Sequence, residues 1–499
     1  MTRETWATRA GFIFAAVGSA VGLGNVWRFP FVTGQEGGSA FLFVYLAFVV
    51  GVGLPAILVE FVVGRRTGLN AVGALRTLGT GPWRYVGYLF VVTGFTILSY
   101  YSVVAGWFLR YTLIGLTDGF AVGGLEGANT LFGQVATGLD SLLFHAVFML
   151  LVVAIVAAGV RSGIETAVTL MVPAILVLLV GLAVYGFTLD AAAEAYAYYL
   201  SPDVGVVLEE WRSILPAAAG QAFFTLSLGM GVMITYASYL GERRNLLVDA
   251  GVIAALDTLV AVTVGFVVFP FLFAAGLEPG AGGPGAIFVS LTSAFVTLPA
   301  GRLIGTVFFA MVGIAALSSA ISILEVLVSY VVDETRVSRL PAAVAIGLGV
   351  FVLGVPVTVD LIVLDLLDGL ANGVLLVLGS LLLAGFVGWV IPTDALDELT
   401  AGTGGLGPLG DAWIWAVRVP VAVVIVVSLL LGVLDYVGFL PDAFRARLAS
   451  ARRRTPTGDP TACVVSVATS VAVRPPPPAG LHPVAHPIGG GLRRGRLPP

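Results

Sequence analysis

Apolar residues run through this chain in stretches of about 20, the length at which an α-helix crosses the hydrocarbon of a bilayer. Such stretches lie near 11–33, 39–63, 85–109, 143–160, 164–187, 212–239, 247–275, 303–332, 340–357, 362–391 and 413–437, which predicts an all-α polytopic membrane protein with eleven spans. The polar positions between them are unequal. Arg3, Arg9, Arg65, Arg66, Arg76, Arg84, Arg161, Arg243, Arg244, Arg336 and Arg339 fall on one side of this layout, and short arginine-bearing loops stay in the cytoplasm. The opposite loops, over 118–140 and 190–210, are mostly acidic. The expectation is a cell (plasma) membrane protein with a cytoplasmic N-terminus, whose first apolar segment is retained as a span rather than cleaved as a signal peptide. An odd number of spans puts the C-terminus outside, in conflict with Arg445, Arg447 and Arg452 to Arg454, which follow the last span directly. Beyond about Pro456 the chain turns to proline, glycine and arginine, so residues 1–440 read as the membrane domain and 441–499 as a disordered tail.

Two spans, five helices apart, are interrupted by glycine: Gly18 to Asn25 in the first, and Thr225 to Gly231 in the sixth. Corresponding breaks in two halves point to an inverted repeat, residues 10–188 and 210–391, with a binding site at the membrane midplane and an eleventh helix outside the repeat. An unsatisfied peptide group in hydrocarbon costs several kcal/mol, so a broken helix persists only where protein, ligand or ions take up the freed groups. Freed carbonyls ligate a cation, and the amides that begin the next half-helix face an anion. A sodium ion and a carboxylate fit that pair of ends. The alternative is that the glycines serve only close packing or kinking, as they often do in membrane helices.

Polar residues elsewhere in the spans favour the site. Asn25, Thr225, Asp257, Ser318 and Ser319 offer hard oxygen donors of the kind sodium prefers, and an ionisable group inside the membrane, such as Asp257, points to function. Single serines and threonines more often bond back to their own helix. Composition narrows the classes further. The chain is 58% hydrophobic and 11% charged, with a net charge of −4 and one cysteine, Cys463. Nucleic-acid binding, a disulfide framework and a cysteine-rich metal site are thereby unsupported. The spans hold one histidine, His145, and no paired acid and base, which argues against an enzyme.

The motifs Trp6-Ala7-Thr8-Arg9, Gly18 to Pro30 with its Gly-Leu-Gly-Asn-Val-Trp-Arg-Phe-Pro, Gly37-Gly38, Phe223 to Ser227 and Leu317-Ser318-Ser319 resemble the neurotransmitter:sodium symporter family, especially its prokaryotic amino-acid carriers. The likeness runs from about Arg3 to the end of the last span. It implies two sodium ions and no organic cofactor. One ion would be held by the Ala20 carbonyl, Asn25, Thr225, Asp257 and the substrate carboxylate. The other would lie among the carbonyls of Gly18, Val21 and Ala315 and the hydroxyls of Ser318 and Ser319. By the same resemblance, the substrate carboxylate would meet the amides of Leu23 and Gly24 and the Tyr101 hydroxyl. Its amino group would meet carbonyls around Ser19, Ala20, Phe224, Thr225 and Ser227. Its side chain would occupy a pocket of Ile97, Tyr101, Phe224, Met230, Ser319, Ser322 and Ile323.

Two positions depart from what the resemblance leads one to expect. Asp257 stands where the prokaryotic carriers place asparagine, and Ala261, one turn on, where a chloride-site serine or a chloride-replacing glutamate is usual. Tyr45, Gln221 and Thr225 match the rest of the chloride site, but a nearby carboxylate repels chloride. The expectation is chloride-independent transport, with Asp257 either ligating sodium or exchanging a proton. Met230 stands where phenylalanine is expected; its flexible thioether repacks around larger ligands, or simply fills core. Gly22 replaces the aspartate of monoamine carriers, which favours an amino acid over an amine. Arg28 and Asp368 match the family's outer gate, with Tyr101 and Phe224 beneath it. Arg3 and Asp333, with Trp6, Ser238 and Tyr239, match the inner one, although Asp333 also suits a solvated helix end. The function implied is sodium-coupled symport of a small hydrophobic amino acid by alternating access. The alternative is a sodium-dependent sensor or channel-like protein without coupled transport.

Overall fold

The computed structural model describes residues 5–120, 122–241, 244–280, 285–335, 337–403 and 405–453. Among the described residues nine helices are long and apolar enough to cross a membrane: Ser39–Thr67, Gly81–Leu116, Gly138–Ala157, Val160–Phe187, Leu246–Ala274, Gly301–Glu334, Arg339–Thr358, Leu361–Val390 and Pro408–Pro441. Arg9–Ala20 and Gly24–Gln35 form a further span bent by 44° at its break. Trp211–Thr225 and Val232–Ala237, separated by a turn over 226–231, make the sixth in chain order. These spans are called helices one to eleven below. No strand occurs among the described residues, and the architecture is the inverted five-helix repeat with discontinuous helices one and six.

Helices three and eight are the most enclosed spans, with 78% of their most apolar windows buried, against 33% for helices four, five and nine. The enclosed pair therefore backs the two broken helices, while the others present Leu, Val and Phe side chains outward, as a lipid-facing surface requires. Sequence pattern located every span but clipped several. Helix three continues past 109 to Leu116, and helix five begins at Val160 with a π-helical stretch through Glu165. The loops read as acidic connections contain short helices, Gly124–Ala136 and Ala192–Leu200, and Ala286–Thr297 lies between helices seven and eight. These pieces are shorter than a span, so a search for apolar stretches of about 20 residues passes over them. The last helix runs through Pro441 to Arg453, beyond the tail boundary expected at 441; the proline-rich remainder from 454 lies outside the described residues.

Candidate substrate and cation site

The first half of helix one ends at Ala20, leaving its last carbonyls without intrahelical donors. Serine hydroxyls from other helices take them up. Ser318 donates to the Gly18 carbonyl at 2.7 Å and Ser227 to the Ser19 carbonyl at 3.0 Å. The chain turns at Gly22, whose carbonyl accepts from the amides of Asn25 and Val26 at 3.2 and 3.3 Å. Gly22 has no room for a side chain: a Cβ would stand 2.7 Å from the Tyr101 hydroxyl and 2.9 Å from Ser319 Oγ. Helix six breaks by a different device. Ser227, Gly229 and Gly231 adopt φ of 53°, 80° and 76°, the left-handed region that costs a non-glycine residue about 1–2 kcal/mol. The buried Glu60 carboxylate gathers the amides released there, accepting from Gly229 at 2.8 Å, Met233 at 3.1 Å and Ile234 at 3.4 Å. Glu60 is thus a structural partner of the break.

Where the breaks face helix seven, three oxygen-bearing side chains converge. Asn25 Nδ2 donates to Asp257 Oδ1 at 2.7 Å, and Thr225 Oγ1 lies 2.9 Å from both Asp257 Oδ2 and Asn25 Oδ1. All three residues are 0% exposed. No arginine reaches the carboxylate: among the described residues the ion pairs involve other acids. A buried carboxylate bonded by neutral donors alone carries a desolvation penalty of several kcal/mol that a cation would offset. One anionic and several neutral oxygens suit a hard ion of low charge.

The remaining site residues fall around this centre. Ser318 Oγ also lies 2.9 Å from the Ala315 carbonyl, so it bridges the carbonyls of Gly18 and Ala315 expected for a second ion. Ser319 and Tyr101 both approach Gly22, and the Leu23 amide donates to the Tyr101 hydroxyl at 3.2 Å. Ser19, Ser227 and Ser322 form a buried hydroxyl cluster, with Ser322 donating to Ser19 at 2.7 Å. Ile97, Met230 and Ile323 are buried in the apolar core that surrounds it.

Above the break, the Phe224 ring covers the Gly24 backbone and the Arg28 guanidinium sits 5.6 Å from the ring centre. Arg28 and Asp368, expected to pair as an outer gate, form no ion pair among the described residues. Arg28 donates to Gln221 Oε1 at 2.7 Å, Gln221 donates to the Gly24 carbonyl at 3.0 Å, and Asp368 accepts from Asn372 at 2.6 Å. Gln221 is therefore spent on backbone and Arg28, and the Tyr45 hydroxyl is buried without a hydrogen-bond partner among the described residues. At the other end the Trp6 indole donates to the Tyr236 carbonyl at 2.9 Å, its amide to the Tyr239 carbonyl at 3.3 Å, and Tyr239 to Glu325 at 2.7 Å. Ser238 is buried beside them, and Asp333 accepts from Asn70 at 3.1 Å. Arg3, its expected gate partner, lies outside the described residues.

The Sodium:neurotransmitter symporter family model matches residues 3–123 and 132–439, and the chain belongs to that family. It is 34% identical to an uncharacterised sodium-dependent transporter of Bacillus subtilis over 86% of this chain and 98% of that one. A sodium-dependent transporter of Methanocaldococcus jannaschii is also 34% identical, over 80% of this chain and 84% of its own. Among solved structures, MhsT in complex with L-phenylalanine superposes with a TM-score of 0.78 at 41% identity, covering 86% of this chain and 99% of MhsT. The protein is thus a sodium-dependent symporter that carries a small molecule across a membrane, not an enzyme.

Proposed function

We propose that this symporter imports a hydrophobic amino acid with two sodium ions, independently of chloride, across the plasma membrane. The observation that carries this reading is Asp257, a fully buried carboxylate held by Asn25 and Thr225 and paired with no arginine among the described residues. Such a group supplies the negative charge that a chloride ion would otherwise bring. It is positioned to ligate the first sodium together with Asn25, Thr225, the Ala20 carbonyl and the substrate carboxylate. The second ion would take the carbonyls of Gly18, Val21 and Ala315 with Ser318 and Ser319.

The amino acid's carboxylate would accept from the Leu23 amide and the Tyr101 hydroxyl, which already meet at 3.2 Å, and from the Gly24 amide. Its side chain would lie among Ile97, Phe224, Met230 and Ile323. The L-phenylalanine bound by MhsT supports a hydrophobic substrate. Two cations moving with a zwitterion carry two charges inward, each worth about 2.3 kcal/mol per 100 mV. The arginine-rich side, with the N-terminus, is assigned to the cytoplasm. Calorimetric titration of the standard amino acids into purified protein, in sodium and then in N-methylglucamine, tests the reading. Saturable binding of leucine, phenylalanine or a similar residue in sodium alone is expected, and binding that ignores sodium counts against it.

A further inference from the structure

Two carboxylates from different helices hold the N-terminal end of helix one. Asp249, in the first turn of helix seven, pairs with Arg9 at 2.8 Å and Arg244 at 3.1 Å, but the Arg9 side chain is 53% exposed. Exposed pairs of this kind contribute little. Glu165, at the start of helix five, is 6% exposed and grips backbone instead. It accepts from the amides of Ala7 at 2.8 Å and Thr8 at 3.0 Å, and from the Thr8 hydroxyl at 2.8 Å. It presses on the helix closely enough that a Cβ at Gly11 would stand 2.1 Å from its Oε1. These amides lie just before the helix, at its N-cap Thr8 and the residue ahead of it, where no intrahelical partner is available and an anion also meets the positive end of the helix dipole. One turn earlier Arg161 donates to the Thr5 carbonyl at 2.7 Å and the Thr5 hydroxyl at 2.8 Å.

The stretch of helix five that supplies both side chains is itself loosely wound. Val160–Glu165 is π-helical and follows Gly159 at φ 98°, and Pro173 further along removes a backbone donor. Residues 5–8 include Trp6, whose indole closes over Tyr236. Residues 5–8 cannot move away from this face, and Trp6 with them, without breaking the bonds to Glu165 and Arg161.

We propose that Glu165, aided by Arg161, is a positioning residue of the transport cycle: its carboxylate latches residues 5–8 to helix five and releases them when the site opens on that side. The inference rests on alternating access, yet its test needs no transported substrate, so it can fail independently of the substrate assignment. Hydrogen exchange of the full-length protein in sodium is followed by mass spectrometry over residues 5–12. Glu165→Gln keeps the size and loses the charge and one acceptor, and should speed exchange of the Ala7 and Thr8 amides about tenfold, with helices three and eight unchanged. Arg161→Gln, at an exposed position, should speed it about threefold and decides the matter if Glu165→Gln does not fold. A second readout separates opening from fraying. In a Cys463→Ser background, a thiol introduced by Ser238→Cys should react with a maleimide about fivefold faster once Glu165 or Arg161 is replaced. Unchanged exchange over residues 5–12, acceleration spread evenly through the bundle, or unchanged thiol reactivity would overturn the latch.

Discussion

Asn25 and Asp257, far apart in sequence, meet across the first helix break: Asn25 Nδ2 lies 2.7 Å from Asp257 Oδ1 and 3.2 Å from the Asp257 carbonyl oxygen. One amide thereby fixes both the side chain and the backbone of the only acid in this buried cluster. Its second end, Oδ1, remains an acceptor for Thr225 and for a cation.

Replacing that acid isolates its charge from its shape. Asp257→Asn preserves size and one acceptor oxygen, so the fold should survive. Loss of a buried anionic ligand should raise the sodium concentration for half-maximal binding at least about tenfold, corresponding to about 1.4 kcal/mol or more. Combining it with Ala261→Ser adds a neutral donor one turn further along helix seven, in the buried cluster that also holds Tyr45, and chloride should then stimulate uptake where it has no effect on the parent. Sodium and chloride titrations of labelled amino-acid uptake check both outcomes.

Ser318 connects the two halves of the proposed second ion site through its bonds to Gly18 and Ala315. Ser318→Ala removes a ligand and leaves the Gly18 carbonyl in an apolar surrounding, a loss of about 1–3 kcal/mol. Sodium affinity should fall by about tenfold or more while the amino-acid preference order stays the same, as competition assays would show.

Gly22 tests the substrate pocket sterically. Gly22→Ala places a methyl 2.7 Å from the Tyr101 hydroxyl and 2.9 Å from Ser319 Oγ. Overpacking of this degree costs about 1–3 kcal/mol, and the displaced Tyr101 should weaken amino-acid binding by about ten- to a hundredfold. Thermal stability should fall far less than that of a variant disrupting the core, which calorimetry or thermofluor measurement would reveal.

Ser227 separates strain from bonding. At φ 53° it is held by its bond to the Ser19 carbonyl. Ser227→Gly loses the bond but relieves the backbone, whereas Ser227→Ala loses the bond and keeps the strain. The alanine variant should therefore be less stable than the glycine variant by about 1 kcal/mol, read as the difference in melting temperature in the same detergent.

The spans and both breaks were legible in the sequence because hydrocarbon imposes one local rule, about 20 apolar residues per crossing, and because glycine at membrane depth is conspicuous. Asp257 was legible for the same reason: a charge inside an apolar helix needs a cause. Glu165 was not, since it sits at a helix end where acids are ordinary and its partners, Ala7 and Thr8, are backbone groups far away in the chain. The extension of the last helix to Arg453 was missed because the apolar run ends near 437 while the helix continues through polar residues and tolerates Pro441 inside it. Arg28 and Asp368 were readable as a candidate pair, but their bonds to Gln221 and Asn372 were not, because those partners are set by how helices six and ten pack and not by spacing along the chain.

The most direct test of the central claim is uptake of labelled phenylalanine or leucine into liposomes holding the purified protein, driven by an imposed inward sodium gradient in gluconate medium. Sodium coupled through Asp257 predicts accumulation above the external concentration in gluconate as in chloride, collapse of that gradient with a sodium ionophore, and loss of accumulation in Asp257→Asn at moderate sodium. Equilibration without accumulation, or uptake that vanishes when chloride is withdrawn, would contradict it.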